Sequence, residues 1–257
     1  TTAATRATLA YLDSRSPAFN GLFRSTVVRI GGALQRAGVD LAGPFQPADG
    51  RPGAYALQML RSPVYPAPAE TLRDVIPACE PDQVLVFEPE REAARTVFYF
   101  PGCGSERLQS HVSMAALHVL VSLGARVILP PPFLCCGYPA HFNAKTDQYS
   151  RNVLRDTIIF SQIREMFSYL SFDACVVTCG TCREGLEEME AGKVFGGRLV
   201  DVAAYAQERG LRLGGAGNGL LYHAPCHDSL EGKAGEVLSK LGGFGQMEAV
   251  PDCCSEA

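Results

Sequence analysis

The chain has 257 residues, of which 47% are apolar and 19% are charged, and its formal net charge is −4. This ordinary globular composition is enough for one large or two small domains, and it lacks the basic balance of a nucleic-acid-binding surface. No apolar run reaches the roughly 18 residues of a membrane-spanning helix. We therefore expect no nucleic-acid partner and no transmembrane segment.

Residues 1–95 are predicted to form a helical and extended segment that precedes the main fold. Residues 1–46 place apolar side chains such as Leu22, Ile30 and Leu34 at helical spacing, with arginines between them. We interpret this as a surface helix that packs on a neighbouring domain, although a helix on a membrane or partner surface is the alternative. Residues 43–70 are rich in Pro and Gly, which favours extended chain, and residues 82–89 are predicted to form a short strand.

Short β-prone runs alternate with helical stretches from residue 96 onward. The runs are "TVFYF" (96–100), "RVILP" (126–130) and "ACVVT" (174–178), and each is rich in apolar residues. A long amphipathic helix is predicted over 146–171, between the second and third runs. This alternation predicts an α/β fold of Rossmann-like units with parallel strands and flanking helices. We assign residues 96–217 to the first unit.

The sequence contains an internal repeat. "VFYFPGC" (97–103) is similar to "LLYHAPC" (220–226), and each is followed by a helical stretch, a Leu-Gly step and an adjacent cysteine pair. A duplicated α/β unit explains this pattern most simply, with residues 218–257 as the start of the second unit. Because the sequence stops just after the second pair, we expect the second unit to be truncated and the chain to be a piece of a longer polypeptide.

Cysteine is unusually frequent, with ten residues in the chain. A disulfide framework is typical of small secreted domains, whereas this chain is larger and has no cleavable signal pattern. We therefore favour metal-bound thiolates in a reducing compartment. Cys79 and Cys175 have no partner in their sequence context and are predicted to be structural thiols.

Five cysteines follow three predicted parallel strands. Cys103 follows the first, Cys135 and Cys136 follow the second, and Cys179 and Cys182 follow the third. Because the carboxyl ends of parallel strands meet at one edge of a sheet, we expect these thiols to converge. The C-x-x-C spacing chelates metals, and its position before a helix stabilises thiolate. A zinc site would use four of the five thiols, whereas an iron–sulfur cluster lets adjacent cysteines bind different irons.

The spacing of these cysteines resembles a known family. Cys103-x31-Cys135-Cys136-Gly137-x41-Cys179-x-x-Cys182, together with "FYFPGC", "CCGYP" and "YHAPCH", is similar to the cysteine-rich CCG domain. That family includes one of the subunits of heterodisulfide reductase and the iron–sulfur subunits of glycolate oxidase and of lactate-utilisation complexes. The resemblance covers residues 96–257, and the stretch before "CGTC" is longer than the family usually has. The whole chain also resembles the C-terminal part of large FAD-linked oxidases.

The resemblance implies a set of metal ligands in each unit. An iron–sulfur cluster of the 4Fe–4S type, with the non-cubane form as one option, would be held in the first unit by Cys103, Cys135, Cys136, Cys179 and Cys182. In the second unit only Cys226, Cys253 and Cys254 are present, and Ser255 stands where the first unit has Gly137. His141, His223 and His227 are candidates for hydrogen bonds to cluster sulfur. No catalytic residue is identified.

The function that the resemblance implies is an electron-transfer module of an FAD-linked 2-hydroxy-acid oxidoreductase of the lactate or glycolate type. Electrons would pass from a flavin-containing domain or subunit, with a ferredoxin-like cluster domain as a further partner, to quinone or another carrier. The chain has no nucleotide-binding glycine motif, so FAD is expected elsewhere. The expected location is the cytoplasm, either free or at the inner face of the membrane. Two alternatives are disulfide reduction at a non-cubane cluster and a zinc-bound or metal-free structural module.

Overall fold

A computed structural model describes residues 2–42, 67–215 and 217–250. Residues 43–66 of the extended segment predicted over 43–70 lie outside these ranges, as does the second cysteine pair, Cys253 and Cys254. The chain divides into a larger unit, Thr1–Asp13 with Glu70–Ala257, and a smaller unit, Ser14–Ala69.

The smaller unit is helical over most of its described residues. It contains α2 (Pro17–Phe23), a π-helical segment (Arg24–Ile30) and α3 (Gly31–Ala42). Ser16 caps α2, because its hydroxyl accepts a hydrogen bond from the backbone N–H of Phe19, and Pro17 occupies the first helical position. With α1 (Ala3–Asp13) in the larger unit, these helices confirm the helical prediction for the described part of residues 1–46.

The larger unit alternates strands and helices along the chain. Its strands are β1 (Leu85–Phe87), β2 (Arg95–Phe100), β3 (Ala125–Leu129), β4 (Phe172–Val177), β5 (Leu199–Asp201), β6 (Leu220–His223) and β7 (Met247–Val250). Its helices after α1 are α4 (Leu72–Val75), α5 (Gly102–Arg107), α6 (Ser110–Ser122), α7 (Tyr138–Phe142), α8 (Thr146–Met166), α9 (Gly180–Glu188), α10 (Ala191–Val194), α11 (Val202–Glu208) and α12 (Ala234–Leu241). No helix in these described ranges is long and apolar enough to cross a membrane.

The main sheet has five strands in the order β1-β3-β2-β4-β5. Strands β2, β3, β4 and β5 pair in parallel with one another, which confirms the predicted α/β class. Strand β1 pairs antiparallel with β3, with Leu85 opposite Leu129. The strand predicted near residues 82–89 is therefore an edge strand of the main sheet.

The central strand β2 is buried on both faces. Phe98 and Phe100 lie in one apolar core, and Val97 and Tyr99 lie in the core on the opposite face. The ring of Phe98 stacks on that of Phe195 at a centroid distance of 3.9 Å. Because helices cover both faces, the strand is a continuous apolar run, and each fully buried phenylalanine ring contributes about 1.5–3 kcal/mol to folding.

Strands β6 and β7 form a separate parallel pair. Leu220 is opposite Met247 and His223 is opposite Val250. Helix α12 lies between the two strands in sequence, and its Val237 and Leu241 share a small apolar core with α11. The strand–helix–parallel strand order of β2 to β3 therefore recurs in β6 to β7, as the internal repeat predicts.

Candidate metal centre

The three cysteine segments follow three adjacent strands of the main sheet. Strand β2 lies between β3 and β4, and all three run in parallel. Cys103 is in α5, directly after β2, and Cys179 and Cys182 are at the start of α9, directly after β4. The loop after β3 carries Cys135 and Cys136. The topology thus brings all three segments to one edge of the sheet.

The five thiols form one continuous cluster. The Sγ atoms of Cys103 and Cys135 are 3.6 Å apart, and those of Cys136 and Cys182 are 3.7 Å apart. Further thiol hydrogen bonds join Cys135 to Cys136 and Cys182 to Cys179. Cys179 is half-buried, and the other four are buried. The two members of the adjacent pair therefore face different partners.

Two glycines lie next to the clustered cysteines. Gly102 has a φ of +73°, and a Cβ at that position would overlap the Sγ of Cys182. Gly137 has a φ of +84°, and its backbone N–H donates to the sulfur of Cys135. A side chain at either position would also be strained in this left-handed backbone conformation. Both positions therefore require glycine.

Contacts between the thiols lower the pKa of two of them and raise the pKa of the other three. The pKa of Cys135 is lowered, chiefly by its contacts with the Cys103 and Cys136 thiols. That of Cys179 is lowered to about 6, chiefly by a hydrogen bond from the Cys182 thiol and also by backbone N–H groups of α9. Contact with Cys135 raises the pKa of Cys103 and of Cys136, and contacts with Cys136 and Cys179 raise that of Cys182; burial raises all three further. The metal-free centre therefore favours thiolate at two positions.

A buried ionic network that the sequence did not suggest holds the loop of the cysteine pair. Glu106 Oε2 accepts a 2.9 Å hydrogen bond from the backbone N–H of Phe133, and Arg107 donates to the Phe133 carbonyl at 3.2 Å. Arg73 pairs with Glu106 and donates to the carbonyl of Pro130 at 2.9 Å. Glu106 and Arg107 are 1% and 0% exposed. The sequence signals this network only by an adjacent pair of opposite charges in the helix that carries Cys103.

Among the residues predicted for the second unit, His227 contacts the surroundings of the first centre. Its Nδ1 is 2.7 Å from Glu184 Oε1, and its ring packs edge-on against Tyr138 at 5.0 Å between centroids. Its carbonyl lies where a side chain on Gly180 would be, so that an ideal Cβ there would overlap it. The chain after β6 therefore packs on the "CGTC" turn.

The other predicted residues are placed as follows. Cys226 is exposed, and His223 ends β6. The ring of His141 contacts the rings of Tyr138 and Tyr149. Cys175 is buried in the apolar core, and burial alone raises its pKa. None of the eight cysteines in the described ranges forms a disulfide.

Within residues 2–42, 67–215 and 217–250, no group of three or more His, Cys, Asp and Glu side chains has the arrangement that one metal ion needs. The four-thiol zinc site that the sequence left open is not preformed there. The role of the five cysteines as metal ligands stays a prediction.

Comparison with known proteins supports the resemblance. Residues 97–187 match the model of the CCG family, which is described as a cysteine-rich domain. This segment is similar to the CCG cysteine-rich domain. It contains all five clustered cysteines, Glu106 and Arg107. The matched residues run from β2 of the main sheet to helix α9.

Two archaeal proteins are similar to a longer part of the chain. An uncharacterized iron–sulfur protein of Methanococcus maripaludis is 28% identical over 173 residues, which is 64% of this chain and 33% of that protein. An uncharacterized iron–sulfur protein of Methanocaldococcus jannaschii is 24% identical over 177 residues, or 67% of this chain and 34% of that protein. The chain spans about a third of the length of these curated relatives. No solved structure gives a significant match.

Proposed function

We propose that the five clustered cysteines hold an iron–sulfur cluster and that the chain is an electron-transfer module. The observation that carries this proposal is the continuous contact of five thiols from three adjacent strands. Thiolate sulfur is the usual protein ligand of iron–sulfur clusters. The names of the two archaeal relatives support the same cofactor.

The contacts of the adjacent pair, Cys135 and Cys136, favour a cofactor with several metal atoms. Cys135 contacts Cys103, whereas Cys136 contacts Cys182, so the pair is divided between two sides of the cluster. Five thiols exceed the four that a structural zinc ion takes. Neighbouring thiolates can each bind a different iron atom of one cluster. This arrangement gives the adjacent pair a chemical purpose.

The burial of the cysteines favours electron transfer over disulfide reduction. Cys103, the most exposed of the four buried members, retains 7% of its accessible surface. Electrons reach a buried cluster without any ligand leaving it, whereas a disulfide substrate must touch the reacting metal or sulfur. Of the five clustered thiols, Cys179 alone is half-buried. We therefore place electron transfer ahead of catalysis on a disulfide.

The wider context that we propose is an FAD-linked oxidoreductase of 2-hydroxy acids such as lactate or glycolate. Flavin chemistry removes two electrons from such an acid, and a one-electron carrier must then pass them on singly. The CCG domain would take this role, with a flavin domain or subunit as donor and quinone or another carrier as acceptor. A ferredoxin-like cluster domain would be a further member of the chain of carriers.

Anaerobic purification followed by iron, sulfide and zinc analysis tests this proposal. We expect iron and sulfide in equal amounts and an EPR signal that changes on reduction. Cys136→Ser should lose the signal, whereas Cys175→Ser, which changes a buried thiol outside the series of contacts, should keep it. One zinc and no iron in the anaerobic protein would overturn the proposal. Turnover of a disulfide with a reduced dye would instead favour the catalytic alternative.

A further inference from the structure

Arg107 is a buried cation on the same helix face as a clustered thiol. It follows Cys103 by four residues in α5, and residues four apart lie above one another on a helix. Its side chain is among the largest that are fully buried in the described residues. The guanidinium of arginine is a delocalised cation. The position therefore carries a permanent positive charge.

The guanidinium is held in place from two sides. It donates a hydrogen bond to the Phe133 carbonyl at 3.2 Å and another to the carbonyl of Tyr11 in α1. The rings of Tyr11 and Phe133 flank it, with centroids 5.2 Å and 5.1 Å from its central carbon. Since Phe133 is two residues before Cys135, the charge is fixed between α5 and the loop of the cysteine pair.

The charge lies next to the segments that carry two of the clustered thiols. Cys103 is one helical turn before Arg107, and Cys135 is two residues after the Phe133 carbonyl that the guanidinium binds. Electrostatic interactions are stronger in a buried site than in water. Of the neighbouring buried charges, the Glu106 carboxylate is bonded to Arg73. Arg107 is thus a buried cation beside the helix and the loop that carry Cys103 and Cys135.

We propose that Arg107 raises the midpoint potential of the centre, because its guanidinium stabilises the electron that is added when the cluster is reduced. This inference rests on the proposed function, because it requires a cluster at the five thiols. Reduction adds one negative charge to the cluster, and a nearby fixed positive charge favours that state. Arg107 touches the loop and helix that carry the ligands, so it is a positioning residue and not a catalytic one.

Variants of Arg107 and of Arg164, an arginine away from the cysteine segments, test this role. Arg107→Gln and Arg107→Met remove the charge, and Arg107→Lys keeps a charge but loses the planar fork. Arg164→Gln is the matched control, because Arg164 also donates to a backbone carbonyl and lies over an aromatic ring, but at the amino-terminal end of β4, opposite the cysteine segments. Each protein is prepared anaerobically, its iron content is measured, and its midpoint potential is determined by a redox titration followed by EPR. Thermal unfolding of each protein reports its stability.

At equal iron content, both neutral variants should have a more negative midpoint potential than the wild type and Arg164→Gln. An unchanged potential in an iron-loaded neutral variant would overturn the proposal, whatever its stability. If neither neutral variant holds iron, Arg107→Lys separates the role of the charge from that of the hydrogen bonds. Iron loading of this variant near the wild-type level supports the role of the charge. Failure to load overturns that role in favour of the hydrogen bonds. Wild-type protein without iron would overturn the proposed function itself, and this role with it.

Discussion

Glu106 accepts a 2.9 Å hydrogen bond from the backbone N–H of Phe133, and this bond ties the loop of the cysteine pair to the helix that carries Cys103. Phe133 has a φ of +64°, which is unfavourable for a bulky side chain. Such a conformation persists only when its surroundings hold it. Here Glu106 holds the N–H and Arg107 holds the carbonyl of the same residue.

Replacing Glu106 with Ala should therefore destabilise the protein strongly. The change leaves the Arg73 guanidinium buried without this carboxylate, and breaking a buried ion pair costs about 3–5 kcal/mol. Urea unfolding of the metal-free protein measures the loss. Glu88→Ala is the matched control, because Glu88 pairs with Arg126 at the surface, where an ion pair contributes about 0–1 kcal/mol. Equal losses in the two variants would contradict the role of Glu106.

Gly102 and Gly104 flank Cys103 and provide a second comparison. A methyl group at Gly102 would overlap Cys182 Sγ, whereas a methyl group at Gly104 would meet no atom within 4 Å. Gly102→Ala should therefore displace Cys182 and abolish iron binding, and Gly104→Ala should leave it unchanged. Iron per protein after anaerobic purification decides between them. Full iron loading of Gly102→Ala would show that Cys182 is not needed as a ligand.

The convergence of the five cysteines could be predicted, because it depends only on where parallel strands end. Cys103 and Cys179 follow β2 and β4 almost directly, so the sheet alone places them. The loop after β3 is different. Its path depends on Glu106 and Arg107, which are distant in sequence, and nothing in the local pattern distinguishes these buried charges from solvated ones. The contact of His227 with Gly180 could not be predicted for the same reason, because it joins residues that are distant in sequence and lie in two units of the repeat.

The pair formed by His227 and Glu184 should make a small, pH-dependent contribution to stability. The hydrogen bond with His227 lowers the pKa of Glu184. A carboxyl group with a lowered pKa in the folded state stabilises the protein above its ordinary pKa of about 4.3, and this contribution is lost as the pH falls through the lowered value. Because the pair is partly exposed, we expect at most about 1 kcal/mol.

The stability difference between the wild type and Glu184→Gln tests this contribution. It should be present at neutral pH and should shrink as the pH falls below about 4. Glu165→Gln, a change at an exposed glutamate of α8, is the control and should show no such trend. Thermal unfolding at a series of pH values gives both differences. A difference that grows as the pH falls below about 4 would contradict the assignment.

Cys179 should be the most reactive of the five clustered thiols in the metal-free protein. It is half-buried whereas the others are buried, and its pKa is lowered to about 6, so it is largely thiolate at neutral pH. Alkylation by iodoacetamide, followed by peptide mass spectrometry, should label Cys179 before the other four clustered thiols, with a half-maximal rate near pH 6. The buried Cys175 thiol, whose pKa is raised, should stay unlabelled while the protein is folded.

Removing the hydrogen-bond donor should reverse this effect. In Cys182→Ala the Cys179 thiolate loses its main stabilising contact, so the half-maximal rate should move up towards the ordinary thiol pKa of about 8.5. The same lowered pKa means that Cys179 stabilises the metal-free fold above the ordinary thiol pKa and that this stabilisation is lost as the pH falls through about 6. A wild-type half-maximal rate already near the ordinary value would contradict both expectations, because it would mean that Cys179 carries a proton at neutral pH.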